Sequence, residues 1–477
     1  MTAITAIDLN ASDEKQYTYD AGKKPPPFGH ALRAFWAFDP GYVNLNHGSY
    51  GSLPLPVLFK CQELTVLAER SPDKFHRVTY MGMQEEVRKQ VADVVGAELD
   101  EIVLVPNATH GINTVLRNFE WKEGDVIVEA TTTYYAISRT VQYLCDRSEP
   151  PRPTPARVVL SFPTTRAQIL DAFRAKIKEI KGANPNVVFS DTPPDATGPH
   201  DPKGNKIVAV IDSIISMPGM SLPWKDLVEI CKEEGVWSLV DGAHSIGQEL
   251  DLDLGVAKPD FFISNCHKWF YAKRGCALLY VPKRNQYIIK SSVPTSHAYI
   301  SPNDPNSSPG ETNFVLQHEW TGTMDQIPYL SIGPANDFRQ WLGGEAAINA
   351  YCHQLALDGG KRLTEILGTK VLDESGEFTL SMTNVQLPLP TESSSGVVYT
   401  PELRDNIIWT FTVKLLDWNV FAAFYLHAGA WWTRCSAQVW LDISDFEYVG
   451  KAFKIICAEI SEIIEKGGKF ADGVDTR

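Results

Sequence analysis

Short apolar runs that alternate with amphipathic helical patterns constrain the fold of this chain more than any other feature. Their lengths and the turn residues between them predict buried strands rather than exposed ones. The runs are EIVLVP (101–106), DVIVEAT (125–131), ARVVLSF (156–162), KIVAVIDS (206–213), VWSLVDG (236–242), DFFIS (260–264) and GCALLYVP (275–282).

Patterns with helical spacing lie between several of these runs. Residues 166–181 place Ile169, Phe173 and Ile177 on one helical face, and residues 224–235 show the same spacing. Buried strands separated by helices predict an α/β domain built on a mostly parallel, seven-stranded sheet. In such sheets, ligands bind beyond the carboxyl ends of the strands.

The pattern changes on both sides of this region. Residues 1–30 are predicted to form a disordered or extended N-terminal arm. From about residue 345 onward helices flank a few strands, which predicts a smaller α+β domain formed by residues 31–74 and 345–477. The large domain would then comprise residues 75–340. The segment 182–206, rich in Pro, Gly and Asp, is predicted to be a surface insertion.

The composition restricts the partners and the compartment. Of 477 residues, 44% are apolar and 21% are charged, as in ordinary soluble globular proteins. The net charge of −14 argues against nucleic acids and anionic membrane surfaces as partners. The sequence contains no run of 18 apolar residues, which is about the length needed to span a bilayer. We expect a cytoplasmic protein with reduced thiols, because no secretory signal precedes the scattered cysteines 61, 145, 231, 266, 276, 352, 435 and 457.

The motifs of protein-bound metals are missing from the sequence. No CxxC, HExxH or EF-hand spacing occurs in it. We therefore expect no metal site.

Polar side chains follow the predicted strand DFFIS where a plain turn would be expected. Asn265, Cys266, His267 and Lys268 come next, and three aromatic residues follow them. An amine in apolar surroundings loses solvation, so its pKa falls and it becomes a usable nucleophile. A lysine that extends past the strand end to water would have the same local sequence.

Other predicted strand ends also carry polar or aromatic side chains. Asp241 ends a buried strand, where either a structural salt bridge or a protonated pyridine nitrogen would compensate its charge. Thr109 is predicted to cap a helix whose start could hold a phosphate, although capping alone explains a threonine there. Tyr134 follows another strand, where its ring could stack on a ligand or simply pack.

Together these features match the needs of pyridoxal 5′-phosphate. A phosphate cradle, an aromatic ring, a buried acid and a strand-end lysine occur in this order along one predicted sheet. The lysine would form an imine with the cofactor's aldehyde, the acid would keep the pyridine nitrogen protonated, and the ring would cover one face. The combination is far more specific than any single part.

On these segments the chain resembles, over nearly its whole length, the class V aminotransferase branch of fold-type I pyridoxal-phosphate enzymes. The segments Asp-Gly-Ala-His and Asn-Cys-His-Lys carry the strongest part of the resemblance. It implies that Lys268 binds the cofactor, that Asp241 pairs with the pyridine nitrogen and that His244 approaches the phenolic oxygen. It also implies that Asn265 and His267 contact the phosphate.

The resemblance extends to further cofactor contacts. Ala108 and Thr109 match the family's phosphate-binding turn, and Tyr134 occupies the ring-stacking position. Another matching turn crosses a dimer interface in this family to reach the partner's phosphate, which implies a homodimer with composite active sites. That turn contains Thr321, Gly322 and Thr323.

Substrate contacts are implied as well, and the substrate would be a small amino acid. Arg434 matches the arginine that binds the substrate's α-carboxylate, a task that suits the guanidinium fork. Asn46 and His47 lie in the segment Asn-Leu-Asn-His-Gly-Ser-Tyr-Gly, which resembles the family's N-terminal active-site strand and turn. Tyr134 is the fourth candidate for a substrate contact.

The resemblance also narrows the reaction. Cysteine desulfurases of the family carry a mobile cysteine upstream of the carboxylate-binding arginine, whereas residues 417–426 here contain no thiol. Cys435 directly follows Arg434 and is expected to point into the core. The closest likeness is to the isopenicillin N epimerase-like subgroup and, within it, to fungal hercynylcysteine sulfoxide lyases.

That likeness implies a C–S lyase that takes hercynylcysteine sulfoxide to ergothioneine and releases pyruvate and ammonia; the sulfur leaves as a sulfenate, which an external two-electron reductant would reduce to ergothioneine. Lys268 would act as the general base, and Tyr134 would donate to the departing sulfur. An amino-acid epimerase and a cysteine desulfurase-like enzyme are the enzymatic alternatives. A relative that keeps the fold without catalysis is the non-enzymatic one.

Overall fold

The computed structural model describes residues 18–149, 151–190, 204–294, 299–301, 303, 312–466 and 470. The first part of the predicted N-terminal arm and residues 191–203 of the predicted insertion lie outside these ranges. The rest of the arm lies against the body of the protein. Rings of Tyr19 and Trp341 are 4.7 Å apart, and the Trp341 indole donates to the carbonyl of Lys23 at 2.7 Å.

All of the predicted strands form, and they make one sheet in the order β2-β8-β7-β6-β5-β3-β4. Only β8 runs antiparallel to its neighbours, so the prediction of a mostly parallel seven-stranded sheet is confirmed. The strands of the chain are β1 Val43–Asn44, β2 Ile102–Val105, β3 Val126–Ala130, β4 Thr154–Val158, β5 Ile207–Asp212, β6 Trp237–Asp241, β7 Phe261–Asn265, β8 Ala277–Tyr280, β9 Met382–Gln386, β10 Val420–Phe421, β11 Ala423–His427 and β12 Ala430–Ser436.

The bounds of β4 differ from the prediction. The apolar run begins at residue 156, but the strand begins at Thr154 and ends at Val158. Ala156 pairs with Val128 on the edge of the sheet, and the residues after Val158 leave the ladder. An edge strand has only one neighbour, so the partner's length sets its extent more than its own apolar pattern does.

Helices connect the strands and cover both faces of the sheet. They are α1 His47–Tyr50, α2 Leu55–Arg70, α3 Pro72–Lys74, α4 Tyr80–Val95, α5 Ala108–Asn118, α6 Tyr135–Cys145, α7 Arg166–Ala183, α8 Trp224–Glu233, α9 Leu254–Ala257, α10 Phe314–Glu319, α11 Ile327–Leu330, α12 Ile332–Trp341, α13 Gly344–Leu367, α14 Glu392–Ser395, α15 Pro401–Asp417 and α16 Ile443–Lys466. Short 3₁₀ or π turns complete the set at His30–Phe35, Phe75–Thr79, Leu99–Glu101 and Lys283–Ile288.

The sheet has a separate apolar core on each face. Along β5, Val208 and Val210 join the core under α5 and α6, whereas Ala209 and Ile211 join the core under α7 and α8. Every residue of this strand is buried. A strand covered on both faces has to be apolar throughout, which is why these runs are continuous in the sequence.

The remainder of the chain builds a smaller layer beside this domain. Strands β11, β12 and β9 form an antiparallel sheet, and α13 and α16 pack together beside it. Strand β1 pairs in parallel with β10, which joins the N-terminal segment to this part of the chain. None of the helices in the described ranges is long and apolar enough to cross a membrane.

Candidate active site

The polar strand ends that the sequence singles out meet at one edge of the large sheet. Asp241 at the end of β6 lies beside Ile263 of β7, and Asn265 ends β7 opposite Ala277. Strand β2 runs in the same direction as β7, because both are antiparallel to β8. The helix start after β2 therefore lies at the same edge as the lysine after β7.

Lys268 lies directly beyond β7 and is partly buried. Its Nζ is 3.1 Å from Nε2 of His244, and Nδ1 of that ring accepts from the indole of Trp269 at 3.1 Å. Burial, reinforced by the charge of Arg434 and opposed by Asp241, lowers the pKa of Lys268 to about 8. The amine is therefore far easier to deprotonate than an exposed lysine.

Asp241 is almost completely buried, and a second carboxylate, which the sequence analysis did not identify, lies beside it. Asp212 ends β5 and pairs in register with Asp241 of β6. Its Oδ2 accepts from the hydroxyl of Thr133 at 3.1 Å. Burial raises the pKa of both acids, and the charge of Asp241 raises the pKa of Asp212 further. The signal was present in the sequence, because Asp212 ends an apolar run just as Asp241 does.

The helix start after β2 differs from the prediction in its cap. Asn107, not Thr109, is the N-cap of α5, and its side chain accepts from the backbone N–H of His110 at 2.8 Å. The N–H of Ala108 donates to Oδ1 of Asn265 at 2.9 Å. In the described part of the chain, no group accepts the backbone N–H of Thr109. This N–H is thus available to an anion at the helix start.

His267 is held by its neighbour strand. Its Nδ1 lies 2.9 Å from the carbonyl oxygen of Cys276, so this nitrogen carries a proton. Burial, together with the charges of Lys268 and Arg274, lowers the pKa of His267 to about 4. The other ring nitrogen can therefore donate to a phosphate only after the phosphate's own charge has raised that pKa.

Arg434 lies on β12 and is fully buried. Its fork donates to the carbonyl of Ser216 at 2.6 Å, to Oδ1 of Asn46 at 3.1 Å and to the hydroxyl of Ser49 at 2.8 Å. Its Nε has no partner, and among the described residues no carboxylate pairs with it. A buried guanidinium in this state is a site for an anion.

The N-terminal turn that contains Asn46 and His47 docks onto the lysine loop. His47 is buried, and its Nε2 lies 2.8 Å from the carbonyl oxygen of Lys268. Arg274 donates to the carbonyl of Gly51 at 2.7 Å. Gly51 has φ 67°, and a Cβ there would lie 1.8 Å from the carbonyl oxygen of His267. The contact of the two segments therefore requires glycine at this position.

The other predicted site residues lie around this edge or away from it. Tyr134 is 47% exposed and precedes α6, one residue after the Thr133 that contacts Asp212. Thr321, Gly322 and Thr323 form a turn between α10 and α11. Among the described residues, no hydrogen bond joins that turn to Lys268 or to the start of α5. The structure of one chain thus does not bring the turn into the site.

A buried arginine that the sequence analysis did not identify links two of the site's segments. Arg339 of α12 donates to the carbonyl of Trp269 at 2.6 Å and to the carbonyl of Gly247 at 3.0 Å. Its guanidinium also pairs with both carboxylate oxygens of Glu345, at 2.5 and 2.6 Å, and lies 4.8 Å from the ring centre of Tyr271. Nothing in the local sequence distinguishes this arginine from an exposed helical one.

These residues fit pyridoxal 5′-phosphate. The buried acid Asp241, the amine of Lys268 with its low pKa and the open start of α5 lie at the carboxyl edge of one sheet. Arg434, which is buried and has no acidic partner among the described residues, lies beside them. The fold and the site define a fold-type I pyridoxal-phosphate enzyme. The aminotransferase class-V family model matches residues 54–150 and 203–388, and the chain belongs to this family.

Similar proteins support the same assignment. The L-cysteine desulfhydrase-like protein lolT1 of Epichloe uncinata is 34% identical, over 91% of this chain and 97% of its own length. The hercynylcysteine sulfoxide lyase of Schizosaccharomyces pombe is 30% identical, over 90% of this chain and 98% of its own. A solved complex of the cystine C–S lyase C-DES with cysteine persulfide has a TM-score of 0.65 at 16% identity, over 87% of this chain and 98% of that one. The last comparison concerns the fold alone.

Proposed function

We propose that this protein is a pyridoxal-phosphate-dependent carbon–sulfur lyase that acts on an S-substituted cysteine. The observation that carries the proposal is the fully buried Arg434 with a free Nε, next to a lysine whose pKa its charge lowers. The arginine suits the α-carboxylate of an amino acid, and the lysine suits the proton on its Cα. Relatives named as cysteine desulfhydrase-like protein and sulfoxide lyase support the reaction class.

Each residue has a defined task in this reaction. Bound beside Asp241, the cofactor would withdraw electrons from Cα, so that the α-proton becomes acidic and the β-sulfur can leave. Lys268 takes the α-proton at Nζ, which is neutral in about a tenth of the molecules at pH 7. Tyr134 offers a phenol to the departing sulfur, and Arg434 keeps the carboxylate in place. Water then releases pyruvate and ammonia.

The state of the thiols favours a lyase over a desulfurase. A persulfide mechanism needs a thiolate near the substrate. Cys435 follows Arg434 on β12, so its side chain points to the opposite face of the strand, and burial raises its pKa to about 12. Seven of the eight cysteines are buried and the eighth, Cys145, is partly buried. None of them offers an acceptor for sulfur.

Within this class we propose hercynylcysteine sulfoxide as the substrate. A sulfoxide sulfur leaves as a sulfenate and needs no protein thiol to receive it, in keeping with the buried cysteines. The ring of Tyr50, 69% exposed, is available to the trimethylammonium group of such a substrate, whereas the ring of Tyr135 already has the guanidinium of Arg139 4.6 Å from its centre. The identity to the Schizosaccharomyces pombe lyase supports this choice.

L-Cysteine itself is the second candidate substrate. The observation in its favour is that a relative of higher identity is named L-cysteine desulfhydrase-like protein. Free cysteine has no group beyond the sulfur, so it would leave the exposed ring of Tyr50 unused. Hydrogen sulfide would then replace the sulfenate as the sulfur product.

A substrate panel distinguishes these possibilities. Purified protein is loaded with the cofactor and incubated with hercynylcysteine sulfoxide, simpler cysteine sulfoxides, S-alkyl cysteines and L-cysteine. Pyruvate, ammonia, alanine, sulfide and racemisation are measured, with Lys268→Ala as the inactive control. We expect pyruvate and ammonia, fastest from hercynylcysteine sulfoxide. Alanine as the product would favour a desulfurase, and racemised substrate without pyruvate an epimerase.

We also propose a homodimer and a cytoplasmic location. The dimer is supported by the turn Thr321–Thr323, which resembles a partner-subunit contact and, among the described residues, makes no hydrogen bond to Lys268 or to the start of α5. The location is supported by eight unpaired cysteines.

A further inference from the structure

His244 lies between an indole and an amine at the centre of the site. The Nε1 of Trp269 is 3.1 Å from Nδ1 of His244, and Nε2 of the same ring is 3.1 Å from Nζ of Lys268. Both rings are 2% exposed. The three side chains therefore form one hydrogen-bonded line that water does not interrupt.

The direction of each hydrogen bond in this line follows from chemistry. An indole N–H can only donate, so Nδ1 of His244 accepts and carries no proton. Burial, followed by the charges of Lys268, Arg434, His267 and His47, lowers the pKa of His244 well below its usual value. The ring is therefore neutral, and its single proton is on Nε2.

This tautomer has a consequence for the lysine. The Nε2–H of His244 points at Nζ, and only an unprotonated amine has a lone pair to accept it. An ammonium would place two hydrogens against each other. Of the other charges around Lys268, Arg434 also disfavours the ammonium, whereas Asp241 favours it. The histidine thus adds to the effect of Arg434.

We propose that Trp269 is a positioning residue that fixes His244 with its proton on Nε2 and thereby shifts the amine of Lys268 toward its neutral form. This inference deepens the proposed function, since a neutral lysine is what binds an aldehyde and removes an α-proton. The contacts on which it rests are all formed by the protein's own side chains, without the cofactor. In a variant without the indole N–H, the ring could flip its tautomer and accept from a lysine ammonium.

The first experiment measures the titration of Lys268 in cofactor-free protein. Trace acetic anhydride labels amines only when they are neutral, and mass spectrometry of the Lys268 peptide between pH 6 and 10 gives the apparent pKa. We expect a value near 8 in the unmodified protein. In Trp269→Phe, which removes the N–H but keeps a ring, it should rise by about one pH unit, so labelling at pH 7 falls about tenfold.

The matched control is Trp224→Phe. Trp224 is also 2% exposed, and its indole donates to Glu249 at 2.9 Å, but it does not touch His244. This variant loses a buried indole hydrogen bond of the same kind and should leave the titration of Lys268 unchanged. Equal shifts in both variants, or no shift in Trp269→Phe, would overturn the proposal.

A second measurement needs no folded variant of Trp269. ¹⁵N-histidine-labelled, cofactor-free protein is examined by NMR, with the His244 signals identified by their loss in His244→Gln. We expect Nδ1 without a proton and Nε2 with one from pH 6 to 9. A proton on Nδ1, or a ring that titrates in this range, would overturn the proposal. Neither result depends on the substrate panel, so failure here and failure of the proposed function remain distinguishable.

Discussion

Two carboxylates lie side by side where the large sheet ends. Asp212 and Asp241 are the last residues of adjacent parallel strands, and both are 3% exposed. Asp241 has the charge of Lys268 in its favour, and Asp212 has the hydroxyl of Thr133. Two negative charges on neighbouring strands in a buried site repel each other, so ionisation of one acid disfavours ionisation of the other. Asp241 is suited to be the ionised acid that faces a cation at the ring nitrogen, and Asp212 is suited to remain protonated.

The replacement Asp241→Asn should impair catalysis much more than folding. The amide keeps the shape of the side chain, but it no longer stabilises a protonated pyridine nitrogen. We expect the turnover number to fall by about 10²-fold or more while the cofactor remains bound through its phosphate. Pyruvate formation and circular dichroism measure the two effects. Turnover at the unmodified rate would show that Asp241 is only a structural partner.

Asp212→Asn should change how the stability of the cofactor-free protein depends on pH. The pKa of Asp212 is raised in the folded state, because burial and Asp241 disfavour its charge. The proton it holds stabilises the fold below its unfolded-state pKa of 3.8, and this contribution is lost as pH rises through the folded-state value. The asparagine variant should therefore gain stability relative to the parent from pH 4 upward.

Thermal unfolding at several pH values tests this expectation. Asp125→Asn is an unsuitable comparison, because that carboxylate has Lys206 at 2.5 Å as a partner. Asp73→Asn is the better control and should show no such trend, because the Asp73 side chain is 89% exposed and its ion pair with Arg77 at 3.2 Å is at the surface. A constant difference between Asp212→Asn and the parent across pH would show that folding does not raise the pKa of Asp212.

At the scale of elements, α12 sets the distance between the two segments that carry the site. Arg339 joins Gly247, in the turn after β6, to Trp269, in the loop after β7. Those segments carry His244 and Lys268. Because the arginine fork is rigid and fully buried, it fixes both backbones relative to one helix.

Arg339→Met should destabilise the protein strongly. It leaves two backbone carbonyls and the Glu345 carboxylate without their donor, at a cost of about 3 kcal/mol. Denaturant unfolding measures the loss, and Arg339→Lys should recover only part of it, since an ammonium cannot make the same fork. Arg362, whose ion pairs are exposed, is the control, and Arg362→Met should change little. Similar losses of stability in both methionine variants would contradict the role of Arg339 in fixing the two segments.

At the scale of the whole molecule, the turn between α10 and α11 is the part of the predicted site that one chain does not bring together. Trp320 stacks edge-on against His76 at 5.6 Å, and Asp325 pairs with Lys273 at 3.3 Å. Both contacts hold the turn at the protein surface. Gly322 has φ 129° and open space around it, so a side chain there strains only the backbone.

Mixed dimers test whether the turn serves a partner. One chain carries Lys268→Ala, and the other carries Gly322→Val with Thr323→Ala. Each pure dimer should be nearly inactive, whereas the heterodimer should regain about half of the unmodified activity, because one of its two sites is complete. The two chains carry different affinity tags, and successive purification on both tags isolates the heterodimer. No recovery in a verified heterodimer would place the turn outside the partner's site.

The sequence by itself determined the sheet and the chemistry at its strand ends. Short apolar runs bounded by turn residues specify buried strands. A charged residue at or just after the end of such a run, as at Asp241 and Lys268, is a strong local signal of a functional site. Local signals fail where a choice depends on geometry. Asn107 rather than Thr109 caps α5, because only the backbone path after β2 decides which side chain reaches the free N–H of His110.

Only the tertiary structure decided which distant residues meet. Asp212 lies beside Asp241 because β5 and β6 are neighbours in the sheet order, which the strand patterns do not specify. Arg434 reaches Asn46 across 388 positions of sequence, and Arg339 reaches Trp269 across 70. Such contacts arise from the packing of whole elements, and the local sequence does not distinguish a buried arginine from an exposed one.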